Sequence, residues 1–485
     1  METLSPGVYL LEVPGENPIE GVSTSTGAFV GITERGPIGK SGFVTSWKDF
    51  QKQYGGYLEN SYLPYAVRGF FENGGTRAFI SRAVHFETQG SVLTKTSTSA
   101  TAELKVGAEV AGMFDAYTDG TWGNAVEVDL KEGKETGTYT VTVYENEVFV
   151  ESFINVPLAD LDETINASSK TVKYTALNES ATLTPVKLKL AGGTDGIVGI
   201  TATDYVGDEA VGNGLYAFDN NDINIVAIPG ITDVATHVGI TAYVEKRKDC
   251  TAIVEAPLGM KPLEAVEYFN TTANIASARV SAFYSWIQVA DPIGVGKNPT
   301  KFIPPSGHVA GIYARTDNTR GVWKAPAGLE AVVQGAIGLE YNVNDAEQDM
   351  MNPESVNAIR AFDGEGIVVW GSRTRASLAE WKYIPVRRSA DFVGQSILAG
   401  TRWAVFEPND QVLWDKVTSV VSAFMRSYWR AGGLKGQVEA DAFFVECNSS
   451  TTTPDDIDAG RMFCNVGMAP QKPAEFVIFR LSLLK

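Results

Sequence analysis

The last residues of the chain form an apolar run with no partner beside it, and this constrains the fold more than any other stretch. After Ala469-Pro470-Gln471-Lys472-Pro473, whose two prolines forbid a helix, Phe476 to Leu484 reads as a strand. No turn returns it to a hairpin partner. Such a strand must dock on a distant strand of its own fold or supply an edge to another copy of the chain. The other end poses the same problem. Val8-Tyr9-Leu10-Leu11-Glu12-Val13 lies between Pro6-Gly7 and Pro14-Gly15 as an isolated strand with a turn on each side.

Upstream of the C-terminal strand the signals are local and clear. Ile367-Val368-Val369-Trp370, opened by Gly364 and Gly366 and closed by Gly371, has the pattern of a fully buried strand. From Gln411 to Ala431, residues Leu413, Val417, Val420, Val421, Phe424 and Tyr428 recur at three- and four-residue steps, so they share one helical face. Asp415, Ser419, Ser422, Arg426 and Arg430 fall opposite. Asp410 is the expected N-cap and Gly432-Gly433 the stop. Read on its own, the cationic end of this helix is a solvated face that complements the negative pole of the helix.

Four separated segments carry a resemblance: Val369-Trp370-Gly371-Ser372-Arg373-Thr374, Tyr383-Ile384-Pro385-Val386-Arg387-Arg388, Gly400-Thr401-Arg402-Trp403-Ala404-Val405-Phe406-Glu407-Pro408-Asn409, and Ala469-Pro470 through Glu475-Phe476. In this order and spacing they resemble the C-terminal region of tail sheath proteins, the contractile sleeve of phage tails and related injection systems. Phe70-Phe71-Glu72-Asn73-Gly74-Gly75, Pro304 to Gly311 and Arg320 to Ala327 extend the resemblance along the chain. It is weakest between about residues 91 and 200.

The resemblance implies a structural subunit, not an enzyme and without a cofactor. It implies stacked hexameric rings in a helical sheath around a tail tube, with baseplate and tail terminator proteins as further partners. It places the protein in a virion tail assembled in the host bacterial cytoplasm, where contraction drives the tube through a cell envelope. It also implies that the terminal strands are intersubunit arms, carried by Val8, Tyr9, Leu10, Leu11, Glu12 and Val13 at one end and by Phe476, Val477, Ile478, Phe479, Arg480 and Leu481 at the other. Lys416, Arg426, Arg430 and Lys435 become candidates for facing the tube. Arg373, Arg375, Arg387 and Arg388 carry two readings, as charged contacts between subunits or as arginines that steady the strand layer of their own chain.

At 485 residues the chain exceeds one ordinary core, so several domains are expected. Its fold class reads as α/β and α+β, multidomain. The expected layout is an N-terminal arm over 1–20 and a discontinuous α/β core made of 21–90 with 355–470. An inserted all-β domain over 91–200, a middle α/β domain over 201–354 and a C-terminal arm over 471–485 complete it. Strand, helix, helix, strand over Thr26–Thr33, Lys48–Tyr54, Tyr65–Asn73 and Arg77–Val84 give an α/β layer. From Gln89 regular helix patterns disappear. Trp122-Gly123-Asn124, Val126–Leu130, Thr138–Tyr144, Glu147–Ile154 and Val186–Leu190 fit a small antiparallel module. The strand Ile223–Ile228, a helix over Val234–Lys248, the strand Cys250–Pro257, a helix over Leu263–Ile275 and the strand Ala278–Ile287 predict a partly parallel sheet.

A net charge of −18 argues against coating nucleic acid and makes identical copies repel unless local cations or strand contacts offset it. Cys250, Cys447 and Cys464 are too few and too scattered for a disulfide framework, which implies a reducing compartment; with His85, His237 and His308 they form no metal spacing. No signal peptide or membrane-spanning run is legible, and no membrane insertion is expected. Two alternatives of another class remain at this level: an α/β hydrolase-like enzyme using Ser306 or Ser372 with His308, and a carbohydrate-binding adhesin built on the inserted β domain. Neither explains two unpaired end strands.

Overall fold

A computed structural model describes residues 18–89, 92–178 and 182–476. The expected end strands at Val8–Val13 and beyond Phe476 lie outside the described residues. The chain divides into two compact units, one made of Thr24–Thr319 and Ala325–Ile384, the other of Met1–Ser23, Arg320–Lys324 and Pro385–Lys485.

The larger unit is built on an 8-stranded sheet in the order Gly42–Val44, Ala78–Arg82, Gly27–Gly31, Ile225–Ala227, Thr251–Glu255, Val280–Tyr284, Val356–Phe362, Gly366–Val369. All interior pairs are parallel and the two outermost strands run antiparallel. Alternate residues enter opposite cores: Ala28, Val226, Ala252 and Val254 on one side, Phe29, Ile225, Ala227 and Ile253 on the other. Burial on both faces explains why these strands read as continuous apolar runs. Helices Val234–Arg247 and Pro262–Glu267 cover the first face, and Trp47–Tyr54, Leu63–Glu72 and Ser306–Arg320 cover the second.

This topology corrects the expected partition. Residues 21–90 share the buried cores of this sheet with 355–384, as expected, but 385–470 belong to the other unit, and Gly27–Gly31 pairs with Ile225–Ala227, so the middle region joins the same sheet. Of the C-terminal part only Val356–Phe362 and Gly366–Val369 enter it. The run Ile367–Val369 is an outermost strand rather than a fully buried one. Its outer side is closed by backbone bonds from Gly328 to Val369 (2.9 Å) and from Val333 to Ile367 (2.8 Å).

The segment between Arg82 and Ile225 carries its own core. A four-stranded sheet of Val148–Pro157, Thr138–Glu145, Val126–Glu132 and Val186–Lys189 accompanies a three-stranded one of Val172–Ala176, Glu109–Ala116 and Thr101–Val106. Here too the expectation needs correcting, because the module is not all-β. Leu161–Ser168 is a helix whose Leu161 and Ile165 are fully buried, and Trp122-Gly123-Asn124 lies in a 3-10 turn over Thr121–Ala125. Two cations fix the module to the sheet. Arg82 donates to the Asp119 carbonyl (2.7 Å), and Arg35 grips Glu145 with two bonds (3.1 and 2.6 Å) while lying 4.6 Å over Trp122.

Helices Leu63–Glu72 and Ser306–Arg320 touch at glycine. A Cβ on Gly307 would lie 2.2 Å from the Ala66 carbonyl oxygen, and one on Gly311 2.5 Å from that of Phe70. Backbone oxygens cannot move aside as a side-chain tip can. Gly307→Ala is therefore expected to lower unfolding free energy by about 1–3 kcal/mol, read from denaturant midpoints.

Glu255, buried at the end of its strand, accepts from the Gly230 N–H (2.6 Å) and the Ser306 hydroxyl (3.4 Å). Burial outweighs these donors and pushes its carboxyl from 4.5 up to about 8. A raised folded-state value favours folding fully below the unfolded value, and that contribution is lost as pH rises through about 8. Buried His237 and His308, held down to about 4 and about 3, act at the acid side, where stability is lost as pH falls. The histidines oppose this slope below about 6.5, so stability followed against pH should fall with rising pH between about 6.5 and 8 in the parent and lose that fall in Glu255→Gln.

Candidate assembly surface

The smaller unit packs around helix Gln411–Arg430. Asp410 caps it by accepting from the Leu413 N–H (3.0 Å), and Gly432, at a φ of 96°, ends it. Leu413, Val417, Val420, Val421, Phe424 and Tyr428 are all buried, as their spacing requires. Trp323 meets Tyr428 edge-on at 5.3 Å and Phe392 lies 5.4 Å from the same ring. The opposite face carries the cations. At about 100° per residue, Lys416, Arg426 and Arg430 fall within roughly 80° of one another. Lys416 lies 4.3 Å over the Trp403 ring and Arg426 makes a double bond pair with Glu439 (2.7 and 2.8 Å), while Arg430 and Lys435 are exposed.

Both chain ends leave from this same unit. At the N-terminal side Ile19 is buried in its core, and the Val22 N–H donates to Ser396 Oγ (3.1 Å). Gly400 makes room for it, since a Cβ there would sit 2.6 Å from Ile19. At the C-terminal side the Ala469 N–H donates to the Ala442 carbonyl (2.8 Å), and the Lys435 N–H to the Ala469 carbonyl (2.9 Å). Gln471 closes the attachment by donating to the Leu434 carbonyl (3.1 Å), and Phe476 beyond it is 72% exposed. Between these roots stands a two-stranded sheet, Phe443–Glu446 against Asn465–Met468. Among the described residues these strands pair with no third strand, and a short bridge of Leu434 to Pro470 adjoins the end of the second. Neither strand was legible in the sequence. Val445 and Val466 are the only β-branched residues in them, and no turn signature joins them.

The four candidate arginines divide by burial. Arg375 lies inside the larger unit, donating to the carbonyls of Ile275 (3.2 Å), Glu354 (2.5 Å) and Phe269 (3.2 Å) and to Asn270 Oδ1 (2.7 Å). Arg373 donates to the carbonyl of Asn352, the C-cap of helix Asp345–Met351, at 2.6 Å. Each guanidinium satisfies carbonyls at a helical end, where orphan acceptors gather. Asn357 fixes the segment by accepting from the Arg373 N–H (2.7 Å). In the smaller unit Arg388 is buried and Arg387 pairs with Asp391 (2.7 Å). For Arg373 and Arg375 this geometry is that of residues steadying their own strand layer.

The phage tail sheath protein central domain matches residues 199–375, and the phage tail sheath C-terminal domain matches 377–483, together more than half of the chain. The chain belongs to the contractile tail sheath family. A putative prophage major tail sheath protein of Pseudomonas aeruginosa (strain UCBPP-PA14) is 26% identical over 294 residues, 59% of this chain and 72% of that protein. The crystal structure of a sheath tail protein from Listeria innocua superposes with a TM-score of 0.66 at 15% identity, covering 94% of this chain and 97% of that one. The PVC sheath complex of an extracellular contractile injection system, in its contracted state, gives 0.61 at 23% identity, covering 99% and 98%.

This sheath protein is thus a structural subunit of a contractile tail, and its family is not one of enzymes. Ser306, the serine weighed as a nucleophile, is buried and turned to Glu255. Among the described residues no His, Cys, Asp and Glu cluster could hold a metal ion, and no helix is long and apolar enough to cross a membrane. Arg375→Met strands several buried carbonyls and is expected to cost about 2–4 kcal/mol in a denaturant titration. Arg430→Glu, on the exposed face, should leave that midpoint where it was.

Proposed function

We propose that this sheath subunit polymerises as stacked hexameric rings around a tail tube, and that its two terminal segments add strands to the Phe443–Glu446/Asn465–Met468 sheet of neighbouring copies. The single observation that carries this reading is the placement of both arm roots on one compact unit with a two-stranded sheet that no third strand joins among the described residues. A sheet of two strands is marginal alone and gains from added edges. The arms are Val8 to Val13 and Phe476 to Leu481. Contraction then exchanges one set of contacts between the bodies of subunits for a larger one while the paired arms hold neighbours together.

The outer face of helix Gln411–Arg430 faces the tube in this reading. Copies carrying a charge of −18 repel, and exposed Lys416, Arg430 and Lys435 of the smaller unit, beside the Arg426–Glu439 ion pair, supply cations against that repulsion. Of the two arginines near the start of helix Ile384–Gly400, Arg388 is buried within its own chain, and Arg387, partly exposed beside Asp391, is the charge contact between subunits in this reading. The large apolar side chains of Val405 and Phe406, 64% and 102% exposed, are further surface that a polymer would cover. Baseplate and tail terminator proteins would bound the sheath at its ends, in a tail assembled within a bacterial cytoplasm.

Deleting residues 1–17 removes an arm and leaves the buried Ile19 root in place. The truncated chain is expected to keep its thermal midpoint. It should need about a 100-fold higher concentration, or more, to form tubes in negative-stain electron microscopy. Regular tubes at the parent concentration would overturn strand exchange through this arm.

A further inference from the structure

The two-stranded sheet of the smaller unit brings two cysteines face to face. Its register pairs Phe443 with Met468, Phe444 with Gly467, Val445 with Val466 and Glu446 with Asn465, so the next opposed pair is Cys447 and Cys464. The Ala469 N–H to Ala442 carbonyl bond marks 442 and 469 as a hydrogen-bonded pair. Alternation then makes 447 and 464 a non-hydrogen-bonded pair, whose Cα atoms approach to about 4.5 Å. That separation falls within the roughly 4.4–6.8 Å that a disulfide spans. Beyond the cysteines Thr451 keeps the chains in step, accepting from the Asn448 N–H (3.0 Å) and donating to the Phe463 carbonyl (2.9 Å). The two thiols are free and interact with each other, Cys447 buried and Cys464 partly open to solvent.

We propose that Cys447 and Cys464 are a cross-strand thiol pair that closes to an intramolecular disulfide when the protein meets a small-molecule disulfide, stapling the two strands. The more accessible Cys464 gives up its proton and attacks one sulfur of the small disulfide, breaking that bond and expelling one thiolate. Cys447 then loses its proton and attacks the Cys464 sulfur, the second small thiolate leaves, and the Cys447–Cys464 bond forms. Two electrons pass from the protein thiols to the small disulfide, which leaves as two thiols. Burial holds both thiols above their ordinary range, Cys447 at about 11, so the exchange is slow at neutral pH and quickens in alkali. Cys250, fully enclosed in the other unit, is the internal control. The staple follows from the strand register alone and stands whether or not neighbouring chains add to this sheet.

The test uses the full chain incubated with oxidised glutathione at about pH 9, then alkylated under denaturing conditions, with intact mass and peptide mapping. Free thiols should fall from three to one per chain, with a peptide linked through Cys447 and Cys464 that dithiothreitol separates. Cys447→Ser should stop at a glutathione adduct on Cys464. Three surviving thiols, a glutathione adduct on Cys464 of the parent chain, or linkage between chains would each overturn the proposal.

Discussion

Parallel pairing of Gly27–Gly31 with Ile225–Ala227 is the contact on which the larger unit depends. It joins residues almost two hundred positions apart, and Asn224 reinforces it by accepting from the Thr26 N–H (3.0 Å). With Ala78–Arg82 on the other side of the same strand, the sheet has closed before and after the inserted module. The module can then be long at little cost, because closure entropy grows only slowly with loop length. Burial of Phe29, Ile225 and Ile253 on one face and of Val30, Val226 and Val254 on the other meets that cost, at about 1.5–3 kcal/mol for each large side chain.

The Arg373-Thr374-Arg375 segment shows how the same sheet secures its last strands. Two guanidinium groups are taken out of water, which is expensive unless their donors are matched. Here the carbonyls at two helical ends supply the acceptors. The segment also pairs backbone to backbone, Arg375 with Ser277 and Arg373 with Tyr383. A motif that resembles the family's C-terminal region is thus, in physical terms, a buried clamp.

In the smaller unit stability and assembly are separated. Its core rests on Leu413, Val421, Phe424 and Tyr428, none of which belongs to a chain end. The described roots of both ends are tied to this body, Ile19 in its core and Gln471 by its bond to the Leu434 carbonyl. For a contractile sheath subunit this arrangement has a mechanical sense. A core that does not depend on the chain ends keeps its fold whatever those ends pair with in the proposed assembly.

The sequence by itself determined whatever is set by local period and capping chemistry. Helix Gln411–Arg430 with its Asp410 cap was legible, as were the central parallel strands and the two arginine-bearing segments, because apolar spacing and terminal residues dictate them within a few positions. The tertiary structure alone decided which strands are neighbours: that 21–90 joins 201–384, that Ile367–Val369 lies outermost, and that Cys447 stands opposite Cys464. Those outcomes depend on which sheet edges meet across long intervening chain. A run of residues encodes the face it buries, but its partner is selected by the burial and hydrogen bonding of the whole assembly of elements, which no local spacing records.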